Sequence, residues 1–268
     1  MSTTLPLYQL DAFTSRVFGG NPAAVVPLES WLEDPILQAI ANENNLSETA
    51  FVLKMEPDRY ALRWFTPSVE VDLCGHATLA SARVLFDQGP PSLQTLHFET
   101  HSGELRVERE QQRLSMDFPL LPVSPLGSPD ALQQLAQALD ASPSEVFVGM
   151  DYLVVLDTAA QVQQLTPDLN ALAHLGRRGV CVTAPGNSGE ECDFVSRFFA
   201  PAAGINEDPA TGSTHCMLAP YWSRRLGKKT LLAHQLSSRG GEIQCRLDGE
   251  RVRLGGDTAY YLQGSISF

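Results

Sequence analysis

Arg63-Trp64-Phe65-Thr66-Pro67 returns as Arg197-Phe198-Phe199-Ala200-Pro201, 134 residues further on in a chain of 268. Each copy leads through a short polar loop to a glycine that opens an apolar stretch, Gly75-His76 in the first half and Gly212-Ser213 in the second. Gly103-Glu104-Leu105-Arg106-Val107 recurs as Gly241-Glu242-Ile243-Gln244-Cys245 at nearly the same offset. A period this long means two duplicated halves, not a stack of small repeats. The length suits that reading, since each half is large enough to bury its own core. The halves are expected at 1–120 and 130–268, with the Pro-rich segment Leu120-Leu121-Pro122-Val123-Ser124-Pro125-Leu126-Gly127-Ser128-Pro129 as the hinge.

Alternating apolar runs predict antiparallel strands at Leu7 to Phe13, Ala23 to Leu28, Thr49 to Lys54 and Tyr60 to Thr66. Further strands are expected at Gln94 to Thr100, Glu104 to Glu110 and Leu114 to Phe118. Asp34 to Asn44 reads as a helix, with Asp34 as its cap, Pro35 at the first helical position, and Leu37, Ile40 and Ala41 on one face. Gly75 to Phe86, rich in Ala and Leu with only Arg83 charged, suits a helix enclosed by protein, and Gly212 to Arg224 is its counterpart. The fold class that follows is α+β: two pseudo-symmetric halves, each a curved antiparallel sheet or barrel around a central helix. The last strand, Thr258 to Phe268, can cross back to the first half.

Composition narrows the function. A net charge of −12 with 19 basic residues excludes nucleic acid and anionic membrane as partners, because each needs a clustered Lys/Arg surface. The basic run Arg224-Arg225-Leu226-Gly227-Lys228-Lys229 reads as a helix end, where cations are stabilised. The N-terminus shows no basic stretch followed by an apolar core, and no run of about 18 apolar residues occurs, so a cytoplasmic protein is expected. Five cysteines without C-x-x-C spacing point to reduced thiols and no zinc site. His97 and His101 lack a third metal ligand, so no metal is expected.

The two glycine-led helix starts carry the chemistry. Unpaired N–H groups at a helix N-terminus hold anions with help from the helix dipole. Gly75 and Gly212 permit close approach of a ligand, and Ser213 and Thr214 add hydroxyl donors. If the halves pack about a pseudo-twofold axis, both starts face one cleft, and a small carboxylate is the natural guest. The same sequences are also ordinary helix caps. Glu48, in Asn45-Leu46-Ser47-Glu48-Thr49, has no evident twin in the second half.

Four segments in order, Gly20-Asn21-Pro22-Ala23-Ala24-Val25, Asn45-Leu46-Ser47-Glu48-Thr49, Gly75-His76-Ala77-Thr78 and Asp208-Pro209-Ala210-Thr211-Gly212-Ser213, resemble the signature segments of PhzF-type phenazine-biosynthesis-like proteins. The resemblance covers essentially the whole chain. It implies the diaminopimelate-epimerase-like fold, a homodimer, and an isomerase that moves a proton between carbons without cofactor or metal. Glu48 then takes the role of general acid/base, with His76 and Asp208 as polar partners of the substrate. Gly75, Gly212 and Ser213 would hold its carboxylate.

Cys74 departs from the phenazine enzyme, and related epimerases place a catalytic Cys there. The matching second segment has no thiol, and Cys216 lies four residues beyond Gly212, about 6 Å along the helix. Cys74 therefore reads as a packing residue lining the substrate site, with a Cys74-dependent epimerase or racemase as the alternative. A non-catalytic carboxylate-binding or scaffold protein is the third reading.

Overall fold

The computed structural model describes residues 3–110, 113–187, 189 and 191–268. In the first half the elements run β1 (Thr4–Ala12), β2 (Asn21–Leu28), α1 (Asp34–Asn44), β3 (Glu48–Lys54), β4 (Arg59–Phe65), β5 (Glu70–Val71), α2 (Gly75–Gln88), β6 (Thr95–Thr100), β7 (Gly103–Glu110) and β8 (Arg113–Pro119). In the second they run β9 (Ser124–Pro125), α3 (Pro129–Leu139), β10 (Glu145–Val148), β11 (Tyr152–Val155), α4 (Ala159–Gln164), α5 (Leu169–Ala173), β12 (Val180–Pro185), β13 (Phe194–Ala200), β14 (Ile205–Asp208), α6 (Gly212–Leu226), β15 (Thr230–Gln235), β16 (Gly241–Asp248) and β17 (Arg251–Gly256), before β18 (Thr258–Ser267) ends the chain. The chain divides into two units, one reaching to Asp117 and taking up Gly255–Phe268, the other Phe118–Leu254. β18 pairs with β1 from Thr4↔Ser267 to Ala12↔Thr258, which places the C-terminal strand in the first unit.

The two units repeat one strand–helix plan, and it makes their sheets mixed where the alternation of apolar residues had suggested antiparallel strands throughout. In the first unit β2 and β3 run parallel across α1, and β4 and β6 run parallel across α2. In the second, β11 and β12 run parallel across α4 and α5, and β13 and β15 across α6. A helix between two paired strands returns the chain to the same end of the sheet, so the pairing must be parallel. Hairpins such as β6–β7 and β15–β16 supply the antiparallel remainder.

The echoed pentapeptides do the same work in both units. Arg63 makes a two-pronged pair with Glu70, at 2.7 and 2.8 Å, over the Phe65 ring. Arg197 pairs with Glu207 at 2.7 and 2.9 Å over the Phe199 ring. Each pair ties the β4 or β13 strand to the loop that leads into the enclosed helix, and a planar guanidinium suits both the carboxylate fork and the ring face.

α2 is buried nearly all round, with Ala77, Leu79, Ala80, Ala82 and Val84 fully enclosed. Small residues let it sit against β1, β2 and β3. α6 carries Pro220 inside the helix, which cannot donate to the Cys216 carbonyl four residues back. That carbonyl accepts instead from Leu121 N–H at 3.1 Å. The expected hinge is therefore fastened into the second unit: Leu120 and Leu126 also donate to Glu250 and Val146, and β9 pairs with β10. Helix α1 keeps its predicted span, but its cap is Glu33 rather than Asp34, and no side chain caps it. Asp34 already has helical backbone and bonds Arg63 at 2.9 Å.

Candidate active site

Glu48 is delivered by two local signals. Asn45 ends α1 in the left-handed conformation, φ 50°, with its N–H on the Ala41 carbonyl, a geometry Asn tolerates better than most residues. Three residues later Glu48 opens β3, flanked by β2 through Ala23 and by β4 from Thr49 onward. Side chains alternate across a strand. Phe51 faces the cluster of Leu37, Ile40 and Ala41 from α1, so Glu48 takes the opposite face, toward α2.

There it meets the start of α2. Cys74 is the N-cap residue, in extended backbone, and His76 is the second helical residue. Glu48 Oε2 lies 3.0 Å from His76 Nε2, and Cys74 Sγ lies 3.5 Å from Nδ1 and 3.9 Å from Nε2 of the same ring. All three residues are nearly sealed, with exposures of 9 % for Glu48, 6 % for Cys74 and 5 % for His76. Glu48 Oε2 is buried and has no hydrogen bond of good geometry among the described residues, a costly state for a carboxylate oxygen. Thr78 holds the helix start by donating from Oγ1 to the Cys74 carbonyl at 2.6 Å.

The electrostatics sort the three groups. Burial, reinforced by the neighbouring Glu48 charge, pushes the Cys74 thiol up to about 11, so it is a neutral thiol near pH 7. Burial opposes protonation of His76, but Cys74 and Glu48 outweigh it and hold the imidazole well above its ordinary value. The His76 imidazole thus stands against the Glu48 carboxyl with a neutral thiol alongside. Cys74 is buried, as a packing residue would be, and its sulfur lies against the imidazole of His76.

The second unit builds its helix start from different groups. Asp208 ends β14, and its Oδ2 accepts from the Thr211 hydroxyl. Gln235 locks the turn, donating to the Asp208 carbonyl at 2.7 Å and accepting from Thr211 N–H at 2.9 Å. Ser213 Oγ accepts from Arg178 at 3.0 Å, and Arg178 is itself forked onto the fully buried Asp151 at 3.0 and 2.5 Å. Burial works against the Arg178 charge, and the Asp151 pair more than offsets it. Gly212 is buried at the first helical position. Thr214 does not present its hydroxyl to a ligand: it is fully buried and donates to the Thr211 carbonyl at 3.0 Å.

Strand register identifies the counterpart of Glu48. Phe65 pairs with Thr49, and Phe199, its echo, pairs with Val180. The residue before Val180 is Gly179, so Gly179 stands where Glu48 stands. A Cβ there would lie 2.5 Å from the Phe198 ring and 2.7 Å from the Phe199 carbonyl. By the same count Thr211 matches Cys74 and Ser213 matches His76. Arg178 and Asp151 escape a reading by motif, because 27 residues separate them and Ser213 is 35 further along from Arg178. The charged run Arg177-Arg178 beside a glycine at the Glu48 register was the available signal.

Among the described residues no helix is long and apolar enough to cross a membrane. The family model for phenazine biosynthesis-like protein, PhzC-PhzF, matches residues 10–265. A Pseudomonas aeruginosa protein named Uncharacterized isomerase PA2770 is 51 % identical over 262 residues, covering 98 % of each chain. The crystal structure of a PhzF family protein from Enterococcus faecalis superposes with a TM-score of 0.93 at 46 % identity, over 98 % of this chain and 99 % of that one. A hydroxyproline epimerase from Agrobacterium vitis, at 11 % identity and a TM-score of 0.65 over 98 % of this chain and 91 % of that one, shares the fold. The duplicated α+β halves, the four signature segments and these matches together make the chain an isomerase that belongs to the PhzC-PhzF family of phenazine biosynthesis-like proteins.

Proposed function

We propose that the protein shifts a proton between two carbons of a small cyclic or unsaturated amino or hydroxy acid, with Glu48 as the acid/base and no cofactor. The observation that carries this reading is the buried Glu48 Oε2, which lacks a hydrogen bond of good geometry and stands 3.0 Å from His76 Nε2. A carboxylate held away from water is a stronger base toward a carbon acid than a hydrated one, and it can return the same proton as an acid. The proton leaves one carbon for Glu48 and is given back at another, so no electrons are gained or lost. His76 beside it offers an Nε2 N–H to charge developing on the substrate. The backbone N–H groups from Gly75 onward add the anion-favouring start of α2. In the second unit Asp208, Gly212 and Ser213 are proposed to bind the substrate's polar groups and carboxylate. Ser213 already accepts from Arg178, which leaves its own O–H to donate.

The test is deuterium incorporation in D₂O, followed by mass spectrometry on dihydro-hydroxyanthranilate and a panel of related unsaturated amino and hydroxy acids. Wild type should label a substrate or product, and Glu48→Gln should not. Labelling that persists in Glu48→Gln overturns the assignment.

A second reading, an epimerase that uses Cys74, is favoured by the 3.5 Å approach of Sγ to the His76 ring. The thiol's shift to about 11 counts against it as a base near neutrality. Loss of labelling in Cys74→Ser with retention in Glu48→Gln would move the chemistry to the thiol.

A further inference from the structure

The Glu48, Cys74 and His76 donor atoms all lie within 4.8 Å of one another, and they are three different metal-ligating types. Zinc bonds of about 2.0 Å to nitrogen or oxygen and about 2.3 Å to sulfur set tetrahedral N and O ligands roughly 3.3 Å apart and N and S roughly 3.5 Å apart. The His76 Nε2 to Glu48 Oε2 distance is 3.0 Å and the Nε2 to Cys74 Sγ distance is 3.9 Å. Small side-chain adjustments would therefore close three donors around one ion, leaving a fourth position open. The buried Glu48 Oε2, without a hydrogen bond of good geometry among the described residues, is an acceptor already directed into this space. The other four cysteines are also free and buried, but among the described residues no other group of three such donors comes together.

We propose that Glu48, Cys74 and His76 form a binding site for a thiophilic divalent cation of the zinc class, and that its occupancy halts the proton shift. The cation replaces protons: Cys74 gives up its S–H proton to become a thiolate, His76 gives up the Nε2 proton, and both protons go to solvent without redox change. Hard cations such as Mg²⁺ are excluded by the sulfur and by the small donor number. Binding does not depend on the catalytic role proposed for Glu48; the inhibitory consequence rests on that reading.

Cd²⁺ serves as the probe, titrated into the full chain without substrate and followed by its thiolate charge-transfer absorption. One equivalent should saturate the band, and Cys74→Ser should abolish it. Glu48→Gln and His76→Gln keep the thiol and report on the other two ligands. Each should weaken Cd²⁺ binding by at least about tenfold, the scale on which even outer-shell partners act. No band in wild type, a band that survives in Cys74→Ser, or unchanged affinity in both other variants overturns the site. Glu48-dependent labelling that continues at saturating Cd²⁺ overturns inhibition. Cd²⁺ binding without any Glu48-dependent labelling sinks the functional reading and leaves the site standing.

Discussion

The starts of α2 and α6 are the same piece of backbone put to two uses. Both follow an Arg-carboxylate pair stacked on phenylalanine, both open with glycine, and both have the N-cap carbonyl held by a side chain four residues on, Thr78 in one and His215 in the other. Their residues differ throughout: Glu48, Cys74 and His76 in the first unit correspond in register to Gly179, Thr211 and Ser213 in the second. Groups that exchange protons are gathered at one start. At the other stand hydroxyls and a locked guanidinium that can bind but, near neutrality, do not take up or release a proton. Duplication thus supplied two anion-favouring helix ends, and on the proposed reading the halves diverged into one that moves a proton and one suited to hold charge.

Removing the proposed proton carrier should break this contrast most severely. Glu48→Gln keeps shape and burial while withdrawing the acid/base, and a positioned general base contributes about 10²- to 10⁴-fold. The turnover number, or the rate of deuterium uptake where turnover is slow, should fall by that order.

The two helix starts should also titrate in opposite directions. His215 is fully buried, and burial pushes it down to about 4, so it stays neutral in the folded protein. The unfolded chain, with an ordinary histidine near 6.5, binds the extra proton between those values. Stability should therefore fall as pH drops from about 6.5 toward 4, by about 3 kcal/mol in total. His76 is raised instead, so its contribution is full below about 6.5 and is lost as pH rises through its folded value. Urea titrations across pH should show the acid slope flattened in His215→Thr, which copies Thr78, and the alkaline slope flattened in His76→Gln. An unchanged profile in either variant would remove that histidine from the comparison.

Gly179 tests the register itself. If it occupies the Glu48 position with a ring where a side chain would go, Gly179→Ala must displace Phe198 or the Phe199 backbone. Overpacking of this kind costs about 1–3 kcal/mol, measurable as a drop in the urea midpoint at constant slope. A neutral substitution would mean that the glycine is not reserved for the neighbouring ring.

Much of this was legible in the chain. The repeated pentapeptides announced the duplication because they are local: each arginine finds its carboxylate within ten residues or fewer, Glu70 from Arg63 and Glu207 from Arg197. The starts of α2 and α6 were legible because glycine before an apolar run is a strong local signal. Helices α4 and α5 were not, since they span 6 and 5 residues, too short to show a helical period, and α3 went unread because its start, Pro129, closes the Pro-rich segment taken as a hinge. The β11–β12 pairing crosses the hidden α4 and α5, whereas the other parallel pairings cross α1, α2 and α6, helices that were legible although the pairing of their flanking strands was not. Glu48, Cys74 and His76 were found as motif residues, but the Asp151–Arg178–Ser213 chain was not, because its members lie 27 and 35 residues apart and meet only on folding.

Cys74 makes the finest test of how far the halves have parted. Its counterpart Thr211 has no thiol, yet the α6 start is equally well formed. Cys74→Thr therefore imports the second unit's own residue into the first, keeping a small side chain at the N-cap while removing the sulfur. If Glu48 alone carries the proton, the substitution should slow deuterium uptake by well under the roughly 100-fold that marks a lost acid/base. The alkaline limb of the pH–rate profile should shift, because the thiol that lies 3.5 Å from the His76 ring and titrates at about 11 is gone. A fall as deep as that of Glu48→Gln would mean that both faces of the substrate are worked by the first unit. The division between a proton-moving half and a charge-holding half would survive even so, with two carriers on one side in place of one.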